Sequence, residues 1–161
     1  MRNTITRITP FLWFASEAEE AAQFYTSIFR NSRIRQVARY PAGAPGPAGS
    51  VMTVEFELDG QPFTALNGGP HFKFNESVSF VVHCKSQADV DYYWDRLLAG
   101  GAPSQCGWLK DRYGLSWQIV PEALLEWIAD ENPQRAQRVM QAMLTMVKLD
   151  LDTLQQAHAQ S

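Results

Sequence analysis

The chain repeats itself. Ile8 to Phe14 is an apolar run followed by Ser16-Glu17-Ala18-Glu19, and Val78 to Cys84 is a second followed by Ser86-Gln87-Ala88-Asp89. After each comes an apolar stripe at helical spacing: Ala21, Phe24, Tyr25, Ile28 and Phe29, then Val90, Tyr93, Trp94, Leu97 and Leu98. The stripes match at an offset of 69 residues and the positions before them at 70, so a one-residue slip separates the two. A duplication limits the fold more than composition does, because each copy is a unit that cannot bury its apolar face alone.

Start and stop signals divide each copy into elements. Ser16 and Glu19 form a capping box, in which the hydroxyl accepts from the amide three residues on and the carboxylate reaches back. Asp89 makes the second copy a weaker version of it. Asn31 closes the first helix and Gly100-Gly101 the second. Strands are expected at Ile34 to Tyr40, Val51 to Leu58 and Gln61 to Leu66, with a loop of Pro, Gly and Ala from Pro41 to Ser50 and a hairpin turn at Asp59-Gly60. Asn67 to Glu76 links the copies. The second copy has strands near Gln105 to Leu109 and from Leu115 to Val120, around a turn at Asp111 to Gly114.

Each copy therefore reads β-α-β-β-β. The expected fold is α+β: two such modules, 6–67 and 77–121, forming a curved mixed sheet around a cup in one domain of residues 6–121. Residues 122–161 form a C-terminal helical tail. Asn132-Pro133 starts a helix whose stripe is Ala136, Val139, Met140, Met143, Leu144 and Val147, and Leu151, Leu154 and Ala157 suggest another. That stripe docks on the body and is a candidate homodimer surface.

Apolar residues make up 45% of the 161 and charged residues 19%, ample for a core. A net charge of −3 argues against nucleic acid as a partner, since that binding rests on clustered Lys and Arg. No run of about eighteen apolar residues is present, so no membrane span is expected. Met1 to Arg7 lacks the pattern of a secretory signal, and Cys84 and Cys106 make no disulfide framework, so a cytoplasmic location is expected.

Strand alternation sorts side chains by face. If Ser77 faces the cup, so do Ser79, Val81 and His83, while Val78, Phe80, Val82 and Cys84 face the helix. The same logic turns Thr9, Phe11 and Trp13 inward, along with Ser116, Gln118 and Val120. Glu55 and Glu57 share one face of their strand, Cα atoms roughly 6.8 Å apart. The expected ligand-binding set is Phe11, Trp13, Glu55, His83, Trp108 and Gln118, with Tyr113 a further aromatic candidate. His71, flanked by Phe72 and Phe74, is a candidate general base, as are His83 and Glu55. His83, Glu55 and Glu57 could together hold a metal, although both glutamates read more readily as solvated sheet-face residues. Lys110 could lower the pKa of Cys106. Structural readings suffice for Cys106, Cys84 and His158.

Several stretches carry a resemblance: Ile8–Phe14, Thr53–Gly60, Gly68–Phe74, and Cys106–Asp111 with Tyr113–Gln118. They resemble the PhnB-like group of the vicinal oxygen chelate superfamily, which includes glyoxalase I, extradiol dioxygenases and bleomycin-resistance proteins. The group also carries the domain name 3-demethylubiquinone-9 3-methyltransferase. The likeness spans about Thr6 to Leu154.

It implies a metal-dependent lyase, isomerase or dioxygenase whose His-type ligands would fall near Arg7 and at Ser77, and whose Glu-type ligands would fall at Thr64 and Gln118. Of these only Gln118 can bind a divalent ion, so no cofactor is expected and the metal positions read as degenerate. A methyltransferase usually carries a glycine-rich turn between its first strand and helix, and here that junction is Ala15-Ser16-Glu17. The leading expectation is a cup that binds a small, partly aromatic molecule. Behind it stand a metal enzyme, a metal-free enzyme and a dimeric scaffold.

Overall fold

The computed structural model describes residues 6–160, and they divide into two compact units, one up to Lys73 and the other from Phe74 onward. Residues 1–5, which belong to the segment read for a secretion signal, and Ser161 lie outside the described residues. The first unit runs β1 (Phe11–Phe14), α1 (Ala18–Ile28), β2 (Arg33–Arg39), β3 (Val51–Leu58) and β4 (Gln61–Asn67). Its sheet has the order β1-β4-β3-β2, with β1 parallel to β4 and the other pairs antiparallel. The second unit runs β5 (Ser79–Cys84), α2 (Gln87–Leu98), β6 (Ala102–Pro103), β7 (Trp108–Lys110) and β8 (Ser116–Pro121). Its order, β5-β8-β7-β6, and its strand directions repeat the first. The α+β class and the two βαβββ modules are those the repeat implied.

The ladders fix the repeat residue by residue. Phe11 pairs with Thr64 and Val81 with Gln118, and Phe11 and Val81 are 70 apart in sequence, so Thr64 and Gln118 occupy equivalent positions. The slip has a structural location too. Two residues, Ala15 and Ser16, separate the end of β1 from the N-cap of α1, which is Glu17. One residue, Lys85, separates β5 from the N-cap of α2, which is Ser86.

That extra residue overturns the capping box expected at Ser16, whereas the weaker one at Ser86 forms. Ser86 accepts from the Asp89 amide at 3.2 Å and Asp89 accepts from the Lys85 amide at 3.3 Å, so the copy with the weaker signal forms the reciprocal cap. Ser16 is displaced out of the cap position, and α1 has no cap bond from its own N-cap side chain. Instead Asn67, at the end of β4, accepts from the Ala18 amide at 2.8 Å. An orphan donor of the first turn is satisfied from across the module.

Burial follows the alternation. In β3, Val54, Phe56 and Leu58 are buried and Glu55 is exposed. Phe56 stacks between Tyr25 of α1 and Phe63 of β4, and the small residues Ala18, Ala21 and Ala22 are fully buried in the same core. In the second unit Val90, Trp94 and Leu97 of α2 are buried, as are Val82 and Cys84 of β5, while Tyr93 is only half-buried.

The strand expected at Gln105 to Leu109 starts later, at Trp108. Cys106 and Gly107 hold φ of +58° and +84°, which no strand residue adopts. Their amides donate to the Met146 and Val147 carbonyls, at 2.9 and 2.8 Å, rather than to a strand partner.

Those bonds tie the tail to the second module. Its helices are α3 (Glu122–Ile128), α4 (Pro133–Leu144) and α5 (Leu151–Ala159). As expected, Asn132 caps α4, accepting from the Gln134 and Arg135 amides. Val139 of the expected stripe is buried with Leu124, Leu149 and Leu154 against Val120 of β8, and Met143 packs on this cluster. The end of the stripe is not covered, with Leu144 59% and Val147 41% exposed. None of the helices among the described residues is long and apolar enough to cross a membrane.

Candidate functional site

A cavity of about 540 Å³ opens in the first unit, where the duplication slips. One side is the β1–α1 junction, with Ala15, Ser16 and Glu19. A second is the uncharged loop after β2, where Tyr40, Pro45 and Pro47 face Val51 at the start of β3. The third is Asn67-Gly68-Gly69 at the end of β4, with His71 just beyond. Its size is that of ordinary small-molecule sites.

Asn67 organises these walls. Besides accepting from the Ala18 amide, its side chain donates to the Val51 carbonyl at 3.1 Å. Its own carbonyl accepts the Tyr40 hydroxyl at 2.5 Å. Helix, strand and loop therefore meet on one residue. The loop is closed by the Tyr40 amide donating to Ser50 and the Gly49 amide donating back to Tyr40. Gly46 sits against the Tyr40 ring so closely that a Cβ there would lie 2.4 Å from ring carbons.

Trp13 positions the far wall. Its indole N–H donates to the Gly69 carbonyl at 2.9 Å, and its ring meets Phe72 edge-on at 5.0 Å. A Cβ on Gly68 would fall 2.3 Å from that ring, so only glycine fits under the indole. The segment from Gly68 to Phe72 is clamped to β1, which holds the exposed His71 beside the opening.

The other residues singled out in the sequence are distributed over two sheets. In the first unit Phe11, Thr64, Glu55 and Gln36 form one row of register partners across the sheet, with Phe11 60% exposed and Glu55 exposed. Glu57, on the same face, is held by Arg35 at 2.6 Å and Arg33 at 3.3 Å. In the second unit Val81, Gln118 and Trp108 form the corresponding row, and Gln118 donates to Ser79 Oγ at 2.9 Å. His83 is exposed and pairs in register with Val120. Ser77 precedes β5 and bonds to Asn75 within its own loop. The neighbouring Ser116 hydroxyl is buried without a hydrogen-bond partner among the described residues.

Of the sequence-derived candidates, the cavity lining includes only His71. Asn67, Tyr40 and Glu19 carry no local sequence signal for a site. The slip marks the β1–α1 junction beside Glu19, and the two copies also differ at the position where the first has Asn67 and the second Pro121.

The donor chemistry can be tested against the metal that the resemblance implies. The four positions in question carry a guanidinium at Arg7, hydroxyls at Thr64 and Ser77, and one amide at Gln118. Among the described residues no group of three or more His, Cys, Asp or Glu side chains is arranged to hold an ion. These residues do not fit a divalent site.

The thiols differ in environment. Burial, reinforced by the negative charges of Asp89 and Glu122, pushes the Cys84 pKa up to about 12. Cys106 is half-buried. Near pH 8 a thiol reagent is expected to reach Cys106 in the folded protein and Cys84 only on unfolding, because Cys84 is buried and its reactive thiolate is suppressed. Mass spectrometry of the labelled peptides checks this, and equal labelling of both in the folded protein would contradict it.

Comparison with known proteins adds the family. The family profile described as 3-demethylubiquinone-9 3-methyltransferase matches residues 6–120. The PhnB protein from Bacillus cereus is 35% identical, covering 72% of this chain and 99% of its own, with a TM-score of 0.66. A protein from Pseudomonas aeruginosa is 19% identical over 73% of this chain and 98% of its own, with a TM-score of 0.60. The fosfomycin resistance protein FosX from Mesorhizobium loti is 14% identical over 78% of this chain and 100% of its own, with a TM-score of 0.53. These last two show a shared fold alone. No match was found among curated proteins. The matched region takes in both modules and ends before α3. The chain belongs to the PhnB-like 3-demethylubiquinone-9 3-methyltransferase family.

Proposed function

We propose that the protein binds a small, partly aromatic molecule in the module-one cavity and does so without a metal. The observation that carries this reading is the cavity itself. It is of small-molecule size, has an aromatic and proline-rich wall, and carries a few polar groups at Ser16, Asn67 and His71. The hydrogen bonds through Asn67 hold those walls in place before any ligand arrives, which lowers the ordering cost of binding.

Methyl transfer, the activity in the family's name, is not part of the reading. The β1–α1 junction that borders the cavity has no glycine, and Gly68 at the opposite wall is covered by Trp13. The first turn of α1 carries Glu19 and Glu20, which disfavour an anionic group at that helix end. The donor set at Arg7, Thr64, Ser77 and Gln118 supports the metal-free reading.

Two experiments test this. Thermal-shift screening of small aromatic compounds is expected to yield ligands that stabilise the wild type, and Gly46→Val is expected to lose them by driving the Tyr40 ring into the cavity. Ligands that stabilise the variant equally would contradict the location. Elemental analysis of protein purified without chelators is expected to return well below about one metal ion per chain. About one per chain, lost on Gln118→Ala, would revive a metal-dependent lyase, isomerase or dioxygenase.

A further inference from the structure

The charge of the cavity narrows its ligand. Among the described residues its lining contains no Lys or Arg and one carboxylate, that of Glu19. Glu19 is half-buried in the first turn of α1, and among the described residues it makes no hydrogen bond or ion pair. By contrast Glu57 on the sheet is held by two arginines, and Asp111 is held by three N–H donors. A carboxylate in a cavity wall with no protein partner keeps its lone pairs open to a ligand's N–H donors, and its charge favours a cationic one. The Tyr40 ring also lines the cavity, and the face of an aromatic ring attracts cations. The Tyr40 hydroxyl is already committed to the Asn67 carbonyl, so the ring cannot swing away without losing that bond.

We infer that the cavity selects an amine-bearing ligand: an aromatic or similarly compact apolar body carrying one ammonium group. The ammonium is held between Glu19 and the Tyr40 ring, and the apolar body rests on Pro45, Pro47 and Val51. Anionic ligands are disfavoured, because among the described residues no Lys or Arg lines the site and the carboxylate repels them. A carboxylate at a helix N-terminus also has a plain structural use in the helix dipole. Glu20, the next residue, serves that use equally, is exposed and lies outside the lining, so it provides the internal control.

This inference rests on the small-molecule reading above, and the test separates the two. Three probes of matched shape are titrated by calorimetry or ligand-observed NMR: phenethylamine, 2-phenylethanol and phenylacetate. The titrations are run at about pH 8, where the amine stays charged. The amine is expected to bind about tenfold more tightly than the alcohol, and phenylacetate more weakly still. Glu19→Gln is expected to bring amine and alcohol within about twofold, while Glu20→Gln keeps the full difference. Both variants are expected to stay folded, because neither removes a packing contact of the core, and circular dichroism checks it.

If amine and alcohol bind the wild type equally, the charge selection is overturned and the small-molecule reading stands. If both glutamine variants lose selectivity equally, the effect is one of net charge and the role of Glu19 is overturned. If none of the three probes binds at millimolar concentration, the reading falls and the inference with it.

Discussion

Asp111→Ala is expected to destabilise the second unit by about 3–5 kcal/mol, enough to lower its unfolding midpoint by on the order of 10 °C. Asp111 is buried, at 3% exposure, in the turn before β8. One carboxylate oxygen accepts from the Tyr113 and Leu115 amides at 2.8 and 3.1 Å, and the other accepts the Trp117 indole N–H at 2.9 Å. Truncation leaves three donors unsatisfied, two of them in buried surroundings, and each costs about 1–3 kcal/mol. Asp111→Asn keeps one carbonyl oxygen and is expected to fall between the alanine variant and the wild type. Urea unfolding followed by tryptophan fluorescence measures the series. A loss below about 1 kcal/mol for the alanine variant would contradict the role given to this carboxylate.

Asn67→Ala carries the second large effect, and it joins stability to binding. The side chain supplies the cap of α1 and the bond to the Val51 carbonyl, so truncation is expected to cost about 2–3 kcal/mol. It also frees the helix start from the start of β3, two of the three cavity walls, and ligand affinity is expected to fall more than about tenfold. Asn67→Asp retains an oxygen toward the Ala18 amide but loses the donor to Val51, so it is expected to recover part of the stability. Thermal unfolding with and without ligand reads both effects. An alanine variant as stable as wild type that binds as tightly would remove Asn67 from the site.

Most of the fold is legible in the amino-acid sequence because the chain states it twice. The offset of 69 to 70 residues, the alternation of Val54, Phe56 and Leu58 against Glu55, and the Asp59-Gly60 turn are local signals, each with a local cause. Two departures from those signals share one physical origin, which is that distant groups compete with local ones. Ser16 and Glu19 have the sequence of a capping box, yet one extra residue shifts Ser16 out of place and Asn67 takes over from 49 residues away. The strand expected at Gln105 begins at Trp108 because the Cys106 and Gly107 amides bond to the tail.

The candidate site is less legible for the same reason. Alternation along strands identifies which residues share a sheet face, so it selects Phe11, Trp13, Glu55, His83, Trp108 and Gln118. The cavity instead lies beyond the strand ends, where side chains from the helix start, the loop and the linker meet. Trp13 illustrates the difference. Alternation offers it to a ligand, whereas the folded chain has it holding Gly69 and Phe72, so that it shapes the wall on which His71 is mounted. The informative feature is the place where the two copies cease to match. At the cavity, Ala15-Ser16 stand where the second module has Lys85 alone, and Asn67 occupies the position of Pro121.

The central claim is that this departure from the repeat is a binding site. A two-dimensional amide NMR titration with phenethylamine tests it most directly, because it reports where the ligand lies as well as whether it binds. The account predicts saturable shifts concentrated at Ser16, Glu19, Val51, Gly68, Gly69 and His71. Shifts centred on Ser79, Trp108 and Gln118, or none at millimolar ligand, would contradict it.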